Sequence, residues 1–371
     1  MNSNENKTWT IEQAWDWQEK VGWLRGCNFI GSDCSSRIDM WQSYKNEEHM
    51  QTAQRELSLC RDIGFNTVRL IVEFDVWLQE RDSFLKILES YIALCARFGL
   101  KVMLVLANEA QLCRGEKYVP KTLGEQAYAP GYHQGRFPLS EEQKALMPYH
   151  ELERRETREK YLEMVREIVD RYRADERVVC WNVYNEPGIT IGIERSLPLI
   201  QLLFDMVREI NPVQPLCSDV WYWKDYDHLR PNDALSARLS DVISWHLYQP
   251  LAKFVVGYEQ LKRLNRPILL TEWLHRINHQ SVQEIYPLLY LERINCWCWG
   301  FVAGKTQTYE PWDSLWDQYD AANGNVDYDF KLWQHDLFRL NLRPYDPDEI
   351  ETIKRFNALY QANGRLRREN S

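Results

Sequence analysis

Short apolar runs rich in Val, Ile and Leu alternate along this chain with stretches whose apolar residues recur at helical spacing. That alternation is the pattern of repeated β–α units around a parallel sheet. It predicts strands over 24–30, 67–73, 101–107, 178–184, 215–220, 242–246, 267–271 and 296–302. Between them it predicts helices near 47–63, 81–98, 151–173, 194–210, 257–265 and 279–293, and a weakly marked one near 231–240. Gly64 and Gly99 follow closely on two of these helices and lead into the next strand, as C-terminal glycines do. Eight strands at this spacing fit a closed (β/α)8 TIM barrel of the α/β class better than an open sheet.

Two stretches resist the pattern. Residues 108–150 carry Gly, Pro, Tyr and charge with no clear period, and 303–330 carries Tyr309, Trp312, Trp316 and Tyr319. Long loops in compact domains are commonly functional, and these follow strands three and eight, on the face where barrel active sites sit. Their length suggests walls that turn an open groove into a pocket, which would favour chain ends and short ligands over the middle of a polymer. With no internal repeat or linker, the chain reads as a single domain. A lead-in helix occupies 1–20, with Ile11, Ala14 and Trp15 on one face. The barrel spans 21–346, and 347–371 forms a trailing helix and tail.

Composition narrows the partners. Of 371 residues 44% are hydrophobic and 27% charged, enough for one large core. A net charge of -9 and the lack of a basic stripe argue against nucleic acid; Arg365, Arg367 and Arg368 read as a solvated end. No apolar run reaches the roughly 18 residues of a membrane span. The first residues lack the apolar stretch of a secretory signal, so a cytoplasmic setting is expected, with a secreted or periplasmic one as the alternative had a leader been removed. Nine scattered cysteines cannot all pair. Cys180, Cys217 and Cys296 lie in strand-like runs as small hydrophobes, which suits a reducing compartment. Cys296 and Cys298 have no partner pair at zinc-like spacing, and neither metal nor organic cofactor is expected. Sixteen tryptophans exceed ordinary usage and suit a protein that stacks on sugar faces.

Two strand ends carry the chemistry. Val178-Val-Cys-Trp-Asn-Val-Tyr-Asn-Glu-Pro-Gly188 ends abruptly in Asn-Glu-Pro, and Pro267-Ile-Leu-Leu-Thr-Glu-Trp273 ends in a second glutamate. A carboxylate at the lip of a buried strand is costly unless it is paired or used. Retaining glycoside hydrolysis needs two carboxyl groups about 5–5.5 Å apart, and the ends of strands four and seven face each other across a barrel mouth. Arg69 shares the inward parity of Thr67 and Ile71, where its charge would hold Glu272 ionised. Asn185 could donate to a hydroxyl beside the reacting carbon. His246 and Tyr248 share one face of strand six, Tyr248 to hold Glu272 and His246 to orient the other side. Trp299 is a candidate floor for the sugar ring, and Lys305 and Gln307 are candidates to reach its hydroxyls.

The chain resembles the clan A glycoside hydrolases, family five in particular, together with bacterial proteins described as cellulase-like or xylanase-like. The resemblance is most specific at Phe65-Asn-Thr-Val-Arg-Leu, Trp181-Asn-Val-Tyr-Asn-Glu-Pro, Trp245-His-Leu-Tyr, Thr271-Glu-Trp and Trp299-Gly-Phe-Val-Ala-Gly-Lys-Thr-Gln-Thr. It implies that Glu186, after asparagine on strand four, is the acid/base and that Glu272, ending strand seven, is the nucleophile. The substrate would be a β-linked oligosaccharide or polysaccharide. One departure stands at strand three. Many family members carry a histidine–asparagine or similar polar pair there, whereas this chain reads Leu106-Ala-Asn-Glu-Ala110. Asn108 or Glu109 is expected to replace that function, or Glu109 to pair with Arg114. Rival readings are a transglycosidase using the same two glutamates and a carbohydrate-binding barrel without catalysis. A barrel with an enolising base is disfavoured, because no Gly-rich phosphate loop follows strand seven or eight.

Overall fold

A computed structural model of the chain describes residues 8–109, 121–134, 150–221 and 228–369. Nine parallel strands form one sheet: β1 (Arg25–Asn28), β2 (Thr67–Ile71), β3 (Lys101–Val105), β4 (Val178–Asn182), β5 (Leu216–Cys217), β6 (Asp219–Val220), β7 (Ile243–His246), β8 (Ile268–Glu272) and β9 (Asn295–Cys298). Their order is β5-β4-β3-β2-β1-β9-β8-β7-β6. The two ends of that order are consecutive in the chain, joined at Ser218. Cys217 pairs with Asn182 of β4 and Asp219 pairs with Ser244 of β7. The expected fifth strand, 215–220, is thus one barrel position whose halves serve different neighbours, and the sheet closes as a (β/α)8 barrel. The neutral side chain of Ser218 donates to the Tyr184 carbonyl at 2.8 Å where the ladder is handed over.

Helices α1 (Ile11–Val21), α2 (Arg37–Trp41), α3 (Asn46–Asp62), α4 (Phe74–Arg97), α5 (Arg155–Tyr172), α6 (Ile193–Ile210), α7 (Pro231–Leu239), α8 (Leu251–Lys262), α9 (Val282–Leu291), α10 (Asp313–Ala321) and α11 (Pro347–Glu369) complete the described elements. Gly64 and Gly99 have φ of 85° and 71°. After each, a backbone N–H reaches back five residues, Phe65 to Cys60 and Leu100 to Cys95, closing the helix before the next strand. Strands expected to run to 73, 107, 184 and 302 end at 71, 105, 182 and 298, although single backbone bonds such as Val72 N–H to the Val105 carbonyl and Leu106 N–H to the Asn182 carbonyl carry the pairing a residue further. The helix expected from 81 starts at Phe74 and runs through a kink at Glu80. The short helices α2 and α10 lie inside loops and had no periodic signal.

The core has two parts. An outer layer packs strand side chains such as Val68, Leu70, Leu104 and Trp181 against the helices. A smaller inner cluster fills the bottom of the barrel with Leu24, Met103, Val179, Cys180, Cys217, Val242, Leu269 and Trp297. Ala14 and Trp17 of α1 join this inner cluster and stopper the N-terminal mouth. Toward the C-terminal mouth the interior turns polar, with Asn28, Arg69, Asn182, Asp219, Ser244, His246, Thr271 and Glu272 all buried. Among the described residues no helix is long and apolar enough to cross a membrane.

Candidate active site

Arg69 on β2 is the hub of the polar mouth. Its Nη1 donates to Glu272 at 2.9 Å and to Asn28 Oδ1 at 2.7 Å, and its Nη2 donates to Asn185 Oδ1 at 2.6 Å. Nη2 also lies 3.4 Å from Asp219. This guanidinium is fully buried, so its planar fork fixes three strand ends at once. The Tyr248 hydroxyl donates to the other oxygen of Glu272 at 2.7 Å. Burial pushes the Glu272 carboxyl above its ordinary value and nearby Glu186 adds to this, while His246, Arg69 and Tyr248 pull it back.

His246 links the two glutamates. Its Nδ1 is 2.8 Å from Glu186 and 3.4 Å from Glu272, and its Nε2 is 3.3 Å from Asp219. Burial alone would lower this imidazole, but Asp219 and Glu272 outweigh it and raise its pKa to about 10. An oxygen of each glutamate and a ring nitrogen of His246 lie within 4.8 Å of one another. That approach suits two carboxyl groups on one glycosidic bond and is shorter than the roughly 6.5–9.5 Å that leaves room for an inverting water. Three ligand-type atoms this close could hold a cation. Here His246 already carries positive charge and both its nitrogens face carboxylates, with the Arg69 charge against Glu272, so a metal ion would meet two cations.

Asp219, on β6, is the buried anion that sequence reading missed. It accepts from Asn182 at 2.6 Å, from Ser244 at 2.5 Å and from the Glu186 backbone N–H at 3.1 Å. Burial would raise this carboxyl, but His246 and Arg69 drive it far below the usual carboxylate range. Asn28 was missed as well. It links Arg69 to the carbonyl of Thr271, just before the second glutamate, at 2.8 Å.

Glu186 stands in the left-handed region with φ 42°, a strained setting for a side-chain-bearing residue. The segment after it is held from several sides. The Pro187 carbonyl accepts from Asn232 at 2.5 Å and from the Trp221 indole at 3.1 Å. Buried Glu109 accepts from the backbone N–H groups of Gly188, Thr190 and Ile191, from the Thr190 hydroxyl and from Tyr184. Both Glu109 oxygens are spent on this turn, and the expected pairing with Arg114 lies outside the described residues. Asn108 accepts from Asn185 at 2.9 Å and so orients the amide beside Glu186.

The loops build an aromatic wall. Tyr248, His275, Trp312 and His335 pack edge-on or tilted, with ring centroids 4.5–6.1 Å apart. Tyr132 meets Trp312 and His335, and His133 stands edge-on to Trp299 at 5.9 Å. Burial lowers His133 and His275 to about 3 and His335 well below its ordinary value, so the histidines of this wall are neutral. Trp299 is half-buried and its indole N–H has no hydrogen-bond partner, as expected of a ring beside a ligand space. Two candidate sugar contacts lie on the loop after β9. The Gln307 amide donates to the Ala129 carbonyl at 2.6 Å and accepts from Gly131 at 2.9 Å, so it clamps the loop after β3. Lys305 is exposed, and its backbone N–H is tied to the Ser32 carbonyl at 2.8 Å. Of the expected loop 108–150, residues 110–120 and 135–149 lie outside the described residues.

A parallel barrel with two glutamates converging at its C-terminal mouth, a histidine between them and an arginine and a tyrosine on the second, defines a glycosidase of the retaining kind. The chain belongs to glycosyl hydrolase family 5, the cellulase family, whose profile matches residues 24–304. It is accordingly an O-glycosyl hydrolase acting on β-linked glycans with retention. Solved structures with the same fold include the β-1,4-mannanase of the sea hare Aplysia kurodai, with a TM-score of 0.53 and 13% identity over 75% of this chain and 87% of that one. The endo-β-1,4-mannanase of Thermotoga petrophila has a TM-score of 0.53 and 15% identity, covering 90% and 77%. The exo-β-1,4-mannosidase Op5Man5 of Opitutaceae bacterium strain TAV5 has a TM-score of 0.56 and 16% identity, covering 93% and 60%. No curated protein matches the chain.

Proposed function

We propose that Glu272 is the nucleophile and Glu186 the acid/base of a double displacement on a β-linked oligosaccharide or polysaccharide. The observation that carries this is the asymmetry of the two carboxylates. Glu272 is locked by Arg69 at 2.9 Å and Tyr248 at 2.7 Å with its side chain 6% exposed, whereas the Glu186 side chain is 14% exposed and reaches out on a strained turn. A nucleophile has to be aimed, and an acid/base has to meet first the leaving group and then water. Glu272 attacks the anomeric carbon while Glu186 gives its proton to the departing oxygen. Glu186 then takes a proton from water, which releases the sugar from Glu272 with its configuration retained. Asn185, fixed by Arg69 and Asn108, offers its amide to the hydroxyl next to the reacting carbon, and Trp299 offers a ring face. The net charge of -9 supports a neutral glycan rather than nucleic acid as the partner.

The described part of the loop after β3 supports action on chain ends and short oligosaccharides. Lys121 pairs with Glu73 at 2.7 Å, Gly124 bonds to Gln42 at 2.6 Å and Gln307 clamps 129–131, so Tyr132 and His133 are pinned beside Trp299 as a wall. Wild type, Glu272→Ala and Glu186→Ala are to be assayed on aryl β-glucosides, β-mannosides and β-xylosides. Active wild type, dead Glu272→Ala and a β-azide product from Glu186→Ala with azide support both roles. An α-azide, or an active Glu272→Ala, refutes the assignment. Rapid internal cleavage of polymers refutes the chain-end reading.

A further inference from the structure

Outside the glycan site, a second group of ligand-type side chains sits where the loop 31–36 after β1 meets α3. Asp33 and Cys34 come from the loop, and His49 comes from the first turn of the helix. One carboxylate oxygen, the sulfur and one ring nitrogen lie within 4.8 Å of one another. In a tetrahedral zinc site, bonds of roughly 2.0–2.3 Å put the ligand atoms about 3.3–3.8 Å apart. Asp33 Oδ2 is 3.0 Å from His49 Nδ1, and Cys34 Sγ is 3.8 Å from Asp33 Oδ1.

The second observation concerns His49 itself. Its ring is 4% exposed; Nδ1 faces Asp33 Oδ2 at 3.0 Å, and Nε2 has no hydrogen-bond partner. A buried imidazole nitrogen without a partner costs free energy. Cys34 is fully buried, while the Asp33 side chain is 29% exposed, so the cluster is reached from solvent on the carboxylate side.

The surroundings are built to hold these three groups. His49, Thr52 and Glu56 lie on one face of α3 at helical spacing. Thr52 donates to Asp33 Oδ2 at 3.0 Å, and Glu56 accepts from the Ser32 backbone at 3.2 Å and from its hydroxyl. The loop closes on itself through Cys34 N–H to the Gly31 carbonyl at 2.9 Å, and Ser35 is tied to Asp39 by both its N–H and its hydroxyl. Asp33 and Asp39 set negative charge beside Cys34, which makes the pocket attractive to a cation.

We infer that Asp33, Cys34 and His49 form a binding site for a zinc-like divalent cation, with solvent water as the fourth ligand. A mixed sulfur, nitrogen and oxygen set at tetrahedral spacing selects zinc among the common divalent ions, and cobalt as its spectroscopic substitute. On binding, the Cys34 S–H bond breaks, its proton passes to solvent and the thiolate donates its electron pair to the metal, with no change of oxidation state. The ion staples the loop 31–36 to α3. The Ser32 carbonyl in that loop receives the Lys305 N–H at 2.8 Å, and Gly304 packs so closely on Ser32 that a Cβ there would fall 2.1 Å from its carbonyl oxygen. The metal therefore steadies one support of the loop after β9.

The test strips the full-length protein with a chelator and titrates it with cobalt. Wild type is expected to develop a thiolate-to-cobalt charge-transfer band that saturates at one equivalent, and to hold one zinc per chain after dialysis. Cys34→Ser is expected to abolish the band, and Asp33→Asn and His49→Gln to weaken binding at least ~10-fold. Glu272→Gln should leave the band intact, because among the described residues no cysteine joins the cluster of Glu186, His246 and Glu272. If Cys34→Ser does not fold, Asp33→Asn, which changes a partly exposed group without loss of volume, carries the same reading. A wild type without the band, or a band that survives Cys34→Ser, overturns the site.

Discussion

Asp219→Asn isolates the buried anion beneath both glutamates. Asparagine keeps the shape, but its NH2 must replace either Oδ2, which faces the Glu186 N–H, Arg69 Nη2 and His246 Nε2 at 3.1, 3.4 and 3.3 Å, or Oδ1, which accepts from Asn182 and Ser244 at 2.6 and 2.5 Å. Two charge-assisted contacts are lost or reversed, at roughly 1.5–3 kcal/mol each. A loss of about 3–4 kcal/mol in transition-state stabilisation corresponds to ~10²–10³ in kcat/KM. The substitution also removes the partner that does most to raise His246 to about 10. Because that value lies above the ordinary 6.5, the stability contributed by the His246 charge is full below about pH 6.5 and is lost as pH rises through about 10. Wild type should therefore show an alkaline loss of activity and stability near that upper value, and in Asp219→Asn the loss should move well toward neutrality. The assay is kcat/KM and urea midpoint against pH for both proteins on the best aryl glycoside. A variant within about threefold of wild type, with an unmoved alkaline limb, refutes the argument that Asp219 sets the charge of His246.

Three further outcomes follow from particular contacts. Tyr248→Phe removes the 2.7 Å bond that lowers Glu272; kcat/KM should fall about 10–100-fold, and its acidic limb should move to higher pH, whereas an unmoved limb contradicts the role. Glu109→Gln should lower kcat with little change in KM and cost roughly 2–3 kcal/mol in urea unfolding, since the turn that carries Glu186 loses a charged acceptor of three backbone N–H groups; unchanged kcat would show that the turn stands without it. Glu349→Ala strands the buried Arg276, which Glu349 holds at 2.6 and 2.7 Å. It should cost roughly 3–5 kcal/mol in urea unfolding, and a loss under about 1 kcal/mol would show that the pair is not what ties α11 to the loop after β8.

The barrel and its two glutamates were legible because each is a local event: an apolar run of strand length that ends in a carboxylate. Arg69, His246 and Tyr248 could be assigned from parity alone, since the period of a strand fixes its inward face. Asp219 was hidden inside the run Pro215–Val220. Its signal was the polar pair Ser218-Asp219 in an otherwise apolar strand, which also marks where that strand changes partners. Asn28, between Cys27 and Phe29, is the same kind of polar residue inside a buried run. The loop contacts of Gln307 and Glu109 were hidden for a different reason. Their partners are loop backbones 79 to 178 residues away in sequence, and no spacing rule brings those together. The wall of Tyr132, His133, Trp312 and His335 is likewise assembled only by loop docking.

The helical stopper at the bottom of the barrel has a kinetic consequence. Trp9 bonds to Asp241, Gln18 to Asn295 and the Trp23 indole to Ile294, across 232, 277 and 271 residues. This helix therefore waits for β9, 271 to 277 residues later, before it can bury Trp17. Loops of that span close slowly and late. Until they do, the apolar disc of Leu24, Met103, Val179, Leu269 and Trp297 lies open to solvent, so aggregation during synthesis has its natural starting point at the end of the barrel opposite the one that handles sugar.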